Sequence, residues 1–179
     1  MNVLEIIDSA IKIGLGGIIG WASSYTVSKL KYDREREKYL LDKKLSIYEL
    51  SIDELENYFD RLSRVFSYVG GVQKSCQAQE GKIVLSEGDL DILKERNAAL
   101  VESWPSRRKA VTRLKLLGAN EIEDLLYEIK SLEKEFRAIV IFGSGSPSVK
   151  EVDKLREDKE ILIKEVREKM AKFYNELMK

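Results

Sequence analysis

Nine apolar residues keep a strict helical beat: Leu41, Leu45, Tyr48, Ile52, Leu55, Phe59, Leu62, Phe66 and Val69, with spacings that alternate between four and three. A strand buries every second residue, so this pattern excludes a strand and demands a helix with partners along one face. It is a heptad seam sustained over four repeats. Phenylalanine at positions 59 and 66 suits a bundle of several helices better than a slim two-stranded coil. No glycine or proline interrupts residues 21–69, and Gly70-Gly71 are expected to end the helix.

The same periodicity continues beyond. Leu90, Leu93, Leu100, Trp104, Val111 and Leu114 share a phase, with Pro105 expected to kink or restart the helix. Gly118 is expected as a left-handed cap, and Asn120 as the N-cap of the next helix. Ile122, Leu125, Ile129, Leu132, Phe136 and Ile139 form its seam. After the loop Gly143-Ser-Gly-Ser, Pro147 fits a first-turn position, and Val152 to Leu177 trace a last helix. Short connections between long helices imply antiparallel neighbours, hence an all-α, up-and-down four-helix bundle.

The N-terminal segment sets the expected location. Residues 10–28 carry one charge, Lys12, in a chain that is 35% charged. A membrane span needs about 20 predominantly apolar residues, and this stretch supplies nineteen. Trp21 and Tyr25 suit a headgroup boundary. Glu5 and Asp8 precede the segment, whereas Lys29, Lys31, Arg34, Arg36 and Lys38 follow it. Positive charge stays cytoplasmic, so the expectation is a single-pass transmembrane helix with its N-terminus outside. A buried or amphipathic helix of a soluble chain is the alternative. A cleaved signal peptide fits poorly, because the first twelve residues are net acidic. The expected division is an N-terminal membrane anchor over 1–30 and a cytoplasmic helical bundle over 31–179. Its helices are expected at about 31–69, 89–117, 120–142 and 148–178. Gly16, Gly20 and Ser24 lie four apart on one face, a small-residue stripe of the kind that lets two helices approach closely in lipid.

Composition narrows the chemistry. There are 31 basic and 31 acidic residues, a balance that argues against a dedicated nucleic-acid binder. Histidine is absent, which removes the commonest general base and the commonest transition-metal ligand. The single Cys76 excludes an internal disulfide. Ile139-Val-Ile-Phe-Gly-Ser-Gly-Ser superficially suits a strand feeding a phosphate loop, but the Gly-Lys-Ser/Thr a Walker loop needs does not follow. The acids Glu121, Glu123, Asp124, Glu128, Glu133 and Glu135 lack the histidines of a di-iron bundle. No catalytic, cofactor or metal site is therefore expected. Arg107, Arg108, Lys109 and Arg113 fall in a stretch with no acid between Pro105 and Asn120. They are expected to form a solvated face, with contact to anionic lipid as the alternative.

These features lead to the expectation of a non-enzymatic, membrane-anchored bundle whose partners are the lipid bilayer, a second copy of itself, or another protein, and not nucleic acid. An oligomerising, pore-forming effector of a toxin or phage-defence system is the alternative, and a soluble partner-binding subunit a further one.

Overall fold

The computed structural model describes residues 3–75, 81–143 and 145–178. Five helices account for nearly all of them: α1 (Val3–Ser75), α2 (Glu87–Glu102), α3 (Trp104–Leu116), α4 (Asn120–Val140) and α5 (Val149–Leu177). The all-α expectation holds. The described residues contain no strand, only an isolated bridge between Lys82 and Ser148. Two compact units divide the chain, Met1–Lys43 and Lys44–Lys179. Among the described side chains of α1, Tyr48 is the first that is fully buried, well beyond residue 30.

In the first unit, every described side chain from Gly20 to Leu40 is exposed. Thr26 Oγ1 donates to the carbonyl of Ala22 at 2.8 Å, a hydroxyl folding back on its own helix. Among the described residues no helix is long and apolar enough to cross a membrane, so the transmembrane helix expected over 10–28 is not supported. The physical reason is dilution: Lys12 and the run Ser23-Ser-Tyr-Thr26 offset the isoleucines.

The second unit is built on the heptad seam. Tyr48, Leu55, Phe59, Leu62, Phe66 and Val69 are all buried, as their spacing predicts. Tyr58, Val65 and Val72 are buried as well, which widens the seam into a broad face covered by other helices. Gly70-Gly71 do not end α1, which runs on to Ser75. Gly70 is a packing residue instead: a Cβ there would meet Arg156 Nη1 at 2.8 Å.

A capping box starts α2, with Ser86 Oγ accepting from Asp89 N–H and Asp89 accepting from Ser86 N–H. Hydrogen bonds from Ser86 hold the Asp89 carboxyl below its ordinary range. Pro105 sits in the first turn of α3, so it restarts the helix after Ser103 and does not merely bend it. Gly118 adopts φ +85°, the left-handed conformation that its side-chain-free backbone permits. The cap of α4 is Ala119, not Asn120, and no side chain caps it. Glu121 and Glu123 complement the positive helix end instead. Pro147 precedes the α5 cap Ser148 and accepts from Ile83 N–H at 2.8 Å.

Cross-helix contacts give the topology. Tyr68 bonds Asp89, Tyr58 contacts Arg107 and Glu54 pairs with Arg113, so α2 and α3 together run antiparallel to α1 as one broken helix. Lys115–Glu123 and Trp104–Glu133 set α4 antiparallel to α3. Gln73–Asp153 and Glu56–Arg167 set α5 antiparallel to α1. This is the expected up-and-down bundle, with α2 and α3 sharing one of its four places. Phe66 and Phe136 stack at its centre, with ring centroids 3.8 Å apart.

Near the other end of the bundle, Tyr48 Oη donates to the Met170 carbonyl at 2.5 Å. Burial pushes this phenol from 10.0 up to about 12. A raised folded value means that the native state holds the proton longer than the unfolded chain, so stability is full below pH 10 and falls as pH rises towards 12. Denaturant melts across this window are expected to show that decline. Tyr48→Phe is expected to flatten it, at a cost of roughly 1 kcal/mol at neutral pH for the lost hydrogen bond.

Candidate interaction surface

The basic run of α3 does not form one exposed face. Arg107 is 7% exposed and turned into the bundle, where its Nη1 donates to Glu133 Oε2 at 2.8 Å and to Tyr58 Oη at 3.1 Å. Arg113 is half-buried and pairs with Glu54 at 2.7 Å. Arg108 and Lys109 alone remain exposed. The expected solvated face of four residues, and with it the alternative of all four meeting anionic lipid, is corrected accordingly: helical phase carries Arg107 inward toward the carboxylate of α4.

That carboxylate, Glu133, is 2% exposed. Tyr58 Oη donates to Oε2 at 2.7 Å, and Trp104 Nε1 donates to Oε1 at 2.8 Å. Arg137 stands 3.9 Å from Oε1 and lies over the Trp104 ring. Burial, then the neighbouring Glu133 charge, push the Tyr58 phenol well above its ordinary value. Three hydrogen bonds converge on its two oxygens, so the cluster joins α1, α3 and α4. A second buried cation, Lys159, pairs with Glu160 at 2.6 Å and lies over Phe66.

Two of the other acids are also paired. Glu121 pairs with Lys169 at 2.6 Å, and the buried Glu123 with Lys115 at 3.0 Å. No group of three or more histidine, cysteine or carboxylate side chains among the described residues is arranged to hold a metal ion. Residues 139 and 140 belong to α4, not to a strand, so Gly143 follows a helix end. Cys76 lies outside the described residues. So do the surroundings of Gly16. Gly20 and Ser24 are exposed, and a Cβ at Gly20 would meet nothing within 4 Å.

Two surfaces stand out. The first is a stripe on α1, where Tyr25, Lys29, Tyr32, Arg36, Tyr39 and Lys43 alternate spacings of four and three over three heptads. Residues so spaced share one helix face. The tyrosines are 59%, 66% and 67% exposed, and Trp21 extends the stripe by stacking on Tyr25 with centroids 5.7 Å apart. Among the described residues, none of its three cations is in an ion pair. The pattern is legible in the sequence to a search for repeats of mixed aromatic and basic residues, and invisible to one that follows apolar residues alone.

The second is a groove along α4 and α5. Leu132, Leu155, Leu162 and Ile161 line a stretch of about 450 Å³, together with Glu128, Glu135, Asp158 and Glu165. No cation lines that stretch, and none of the four carboxylates is in an ion pair with a described residue. The groove continues toward the start of α4 past Leu125, Asp124 and Glu168, where Lys169 and Lys172 join it. Leu125 was expected in the core. The buried seam takes Leu126 instead, which leaves Leu125 half-exposed at the groove.

The Glu133 cluster makes a direct stability test. Glu133→Ala strands a buried guanidinium and is expected to cost roughly 3–5 kcal/mol in urea unfolding. Replacing both Glu133 and Arg107 by leucine or methionine is expected to cost less than that single change, because no buried charge is left without a partner.

No family model matches this chain, and neither a curated protein nor a solved structure does.

Proposed function

We propose that this protein is an association module, a helical bundle that acts by binding another protein chain through residues 21–43, self-association being the simplest form. The observation that carries this reading is the exposed stripe of Trp21, Tyr25, Tyr32 and Tyr39 interleaved with Lys29, Arg36 and Lys43. Ordinary solvated helices scatter single aromatic residues; a regular row of four is a contact surface awaiting a partner. Tyrosine and arginine are also the residue types that dominate binding energy at protein interfaces, since each buries a large body while keeping a polar tip satisfied. Replacing Tyr25, Tyr32 and Tyr39 together by serine is expected to weaken self-association by more than about 3 kcal/mol, roughly a hundredfold or more in dissociation constant. Sedimentation over a concentration series measures this. An unchanged association constant removes the stripe from the function.

A membrane anchor over residues 10–28 is a second reading, favoured by the exposed, stacked Trp21 and Tyr25 just ahead of Lys29 and Lys31. Aromatic rings followed by lysines are the order found at a membrane boundary. On this reading the full chain stays with the membrane pellet after an alkaline carbonate wash. Its release into the supernatant removes the anchor and leaves the protein–protein reading standing.

A further inference from the structure

We infer that copies of this chain join head to tail, the Tyr25–Lys43 stripe of one copy seating in the apolar, acid-rimmed groove between α4 and α5 of another. This rests on the reading of residues 21–43 as the binding element and names its receptor.

The two surfaces match in three respects. The first is chemistry. The groove offers a leucine floor at Leu125, Leu132 and Leu162, rimmed by Glu128, Glu135, Asp158 and Glu165. The stripe offers tyrosine rings to cover leucines, and Lys29, Arg36 and Lys43 to meet carboxylates. Neither set of charges is neutralised by an ion pair among the described residues, so each lacks what the other supplies.

The second is register. On α4 the groove side reads Glu121, Leu125, Glu128, Leu132, Glu135, with spacings of four, three, four and three. The stripe reads Tyr25, Lys29, Tyr32, Arg36, Tyr39 with the same spacings. Its cations recur every seven residues, and so do these glutamates, of which Glu128 and Glu135 are in no ion pair among the described residues and Glu121 is held by Lys169. At ~1.5 Å per residue both repeats advance by about 10.5 Å, so aligning one cation with one carboxylate aligns the rest. Heptads of this kind pack as coiled-coil neighbours at small crossing angles, with flanking charges choosing the partner.

The third is length. Fourteen residues separate Glu121 from Glu135, and fourteen separate Tyr25 from Tyr39. A third helix laid in the groove would cover the 55%-exposed Ile161 and the half-exposed edges of Leu125 and Leu162. Because stripe and groove are different surfaces, the contact repeated from copy to copy yields a ring or a filament, and exchanged between two copies it closes a dimer.

Two full-length variants test this by sedimentation equilibrium. One carries Lys29→Glu, Arg36→Glu and Lys43→Glu; the other carries Glu128→Lys, Glu135→Lys and Glu165→Lys. All six positions are exposed on helix surfaces, and circular dichroism confirms that each variant is folded. The wild type is expected to exceed monomer mass with rising concentration and to dissociate with added salt. Each variant alone is expected to associate roughly a hundredfold more weakly. Mixed in equal amounts they are expected to co-assemble as alternating copies, because the basic stripe of one meets the acidic groove of the other and the acidic stripe meets the basic groove. A chain carrying all six changes is expected to assemble again, its charges having exchanged sides.

A mixture that stays monomeric overturns the inference. So does a groove variant that assembles like the wild type; if the Tyr25, Tyr32 and Tyr39 serine variant then fails to assemble, residues 21–43 remain the binding element and only the receptor is wrong. A wild type that is monomeric at every concentration yet binds anionic phosphatidylserine vesicles through Lys29, Arg36 and Lys43 overturns it in favour of a lipid surface.

Discussion

The buried pair of Glu133 and Arg107 is the constraint around which the bundle is arranged. A carboxylate and a guanidinium taken out of water lose several kcal/mol of hydration each, roughly, and recover it only with close geometry and every remaining lone pair occupied. Here Tyr58 and Trp104 complete the set, so one carboxylate fixes α1, α3 and α4 at a single rotation and a single height. Leucines slide past one another with little penalty; a bidentate acceptor with three donors does not. The register of the Phe66–Phe136 stack and the inward turn of Arg107 follow from that same alignment.

Fixing α4 in this way decides what its other side shows. A helix with Ile129, Leu132, Glu133 and Phe136 turned inward presents Glu128 and Glu135 along the edge of that face, one turn on either side of Leu132 and exposed. α5 meets it with Leu155 and Ile163 buried and with Asp158 and Glu165 along the seam. The result is an apolar crease between two rows of acids, produced by the same phase that fills the core. Residues 21–43 show the opposite case: a helix with no buried face of its own, whose order on the outside is aromatic and basic.

The heptad residues of α1 were readable at once, because Tyr48, Leu55, Phe59, Leu62, Phe66 and Val69 are both periodic and apolar, and burial follows from that. The glycines misled. Gly70 has a stop residue's composition but serves close packing against Arg156, and nothing local distinguishes a glycine that ends a helix from one that admits a neighbour. Asn120 has a cap residue's chemistry, yet the helix begins one residue earlier than its side chain requires. Arg107 sits in a run of cations that reads as solvated, and its partner lies 26 residues away on another helix. The tyrosine and lysine heptads of residues 25–43 were present in the sequence throughout, in a register that an apolar count does not test.

The sequence by itself determined the helices, their order, the fold class and the absence of histidine chemistry, because period, capping and composition are local properties that each segment carries wherever it is placed. Only the tertiary structure decided which charges are inside. Glu133 and Glu135 are indistinguishable by type and neighbourhood, yet one is sealed among Arg107, Tyr58 and Trp104 while the other rims an open groove. That difference arises because burial of a charge depends on whether donors from distant segments converge on it, and convergence is set by how the helices pack.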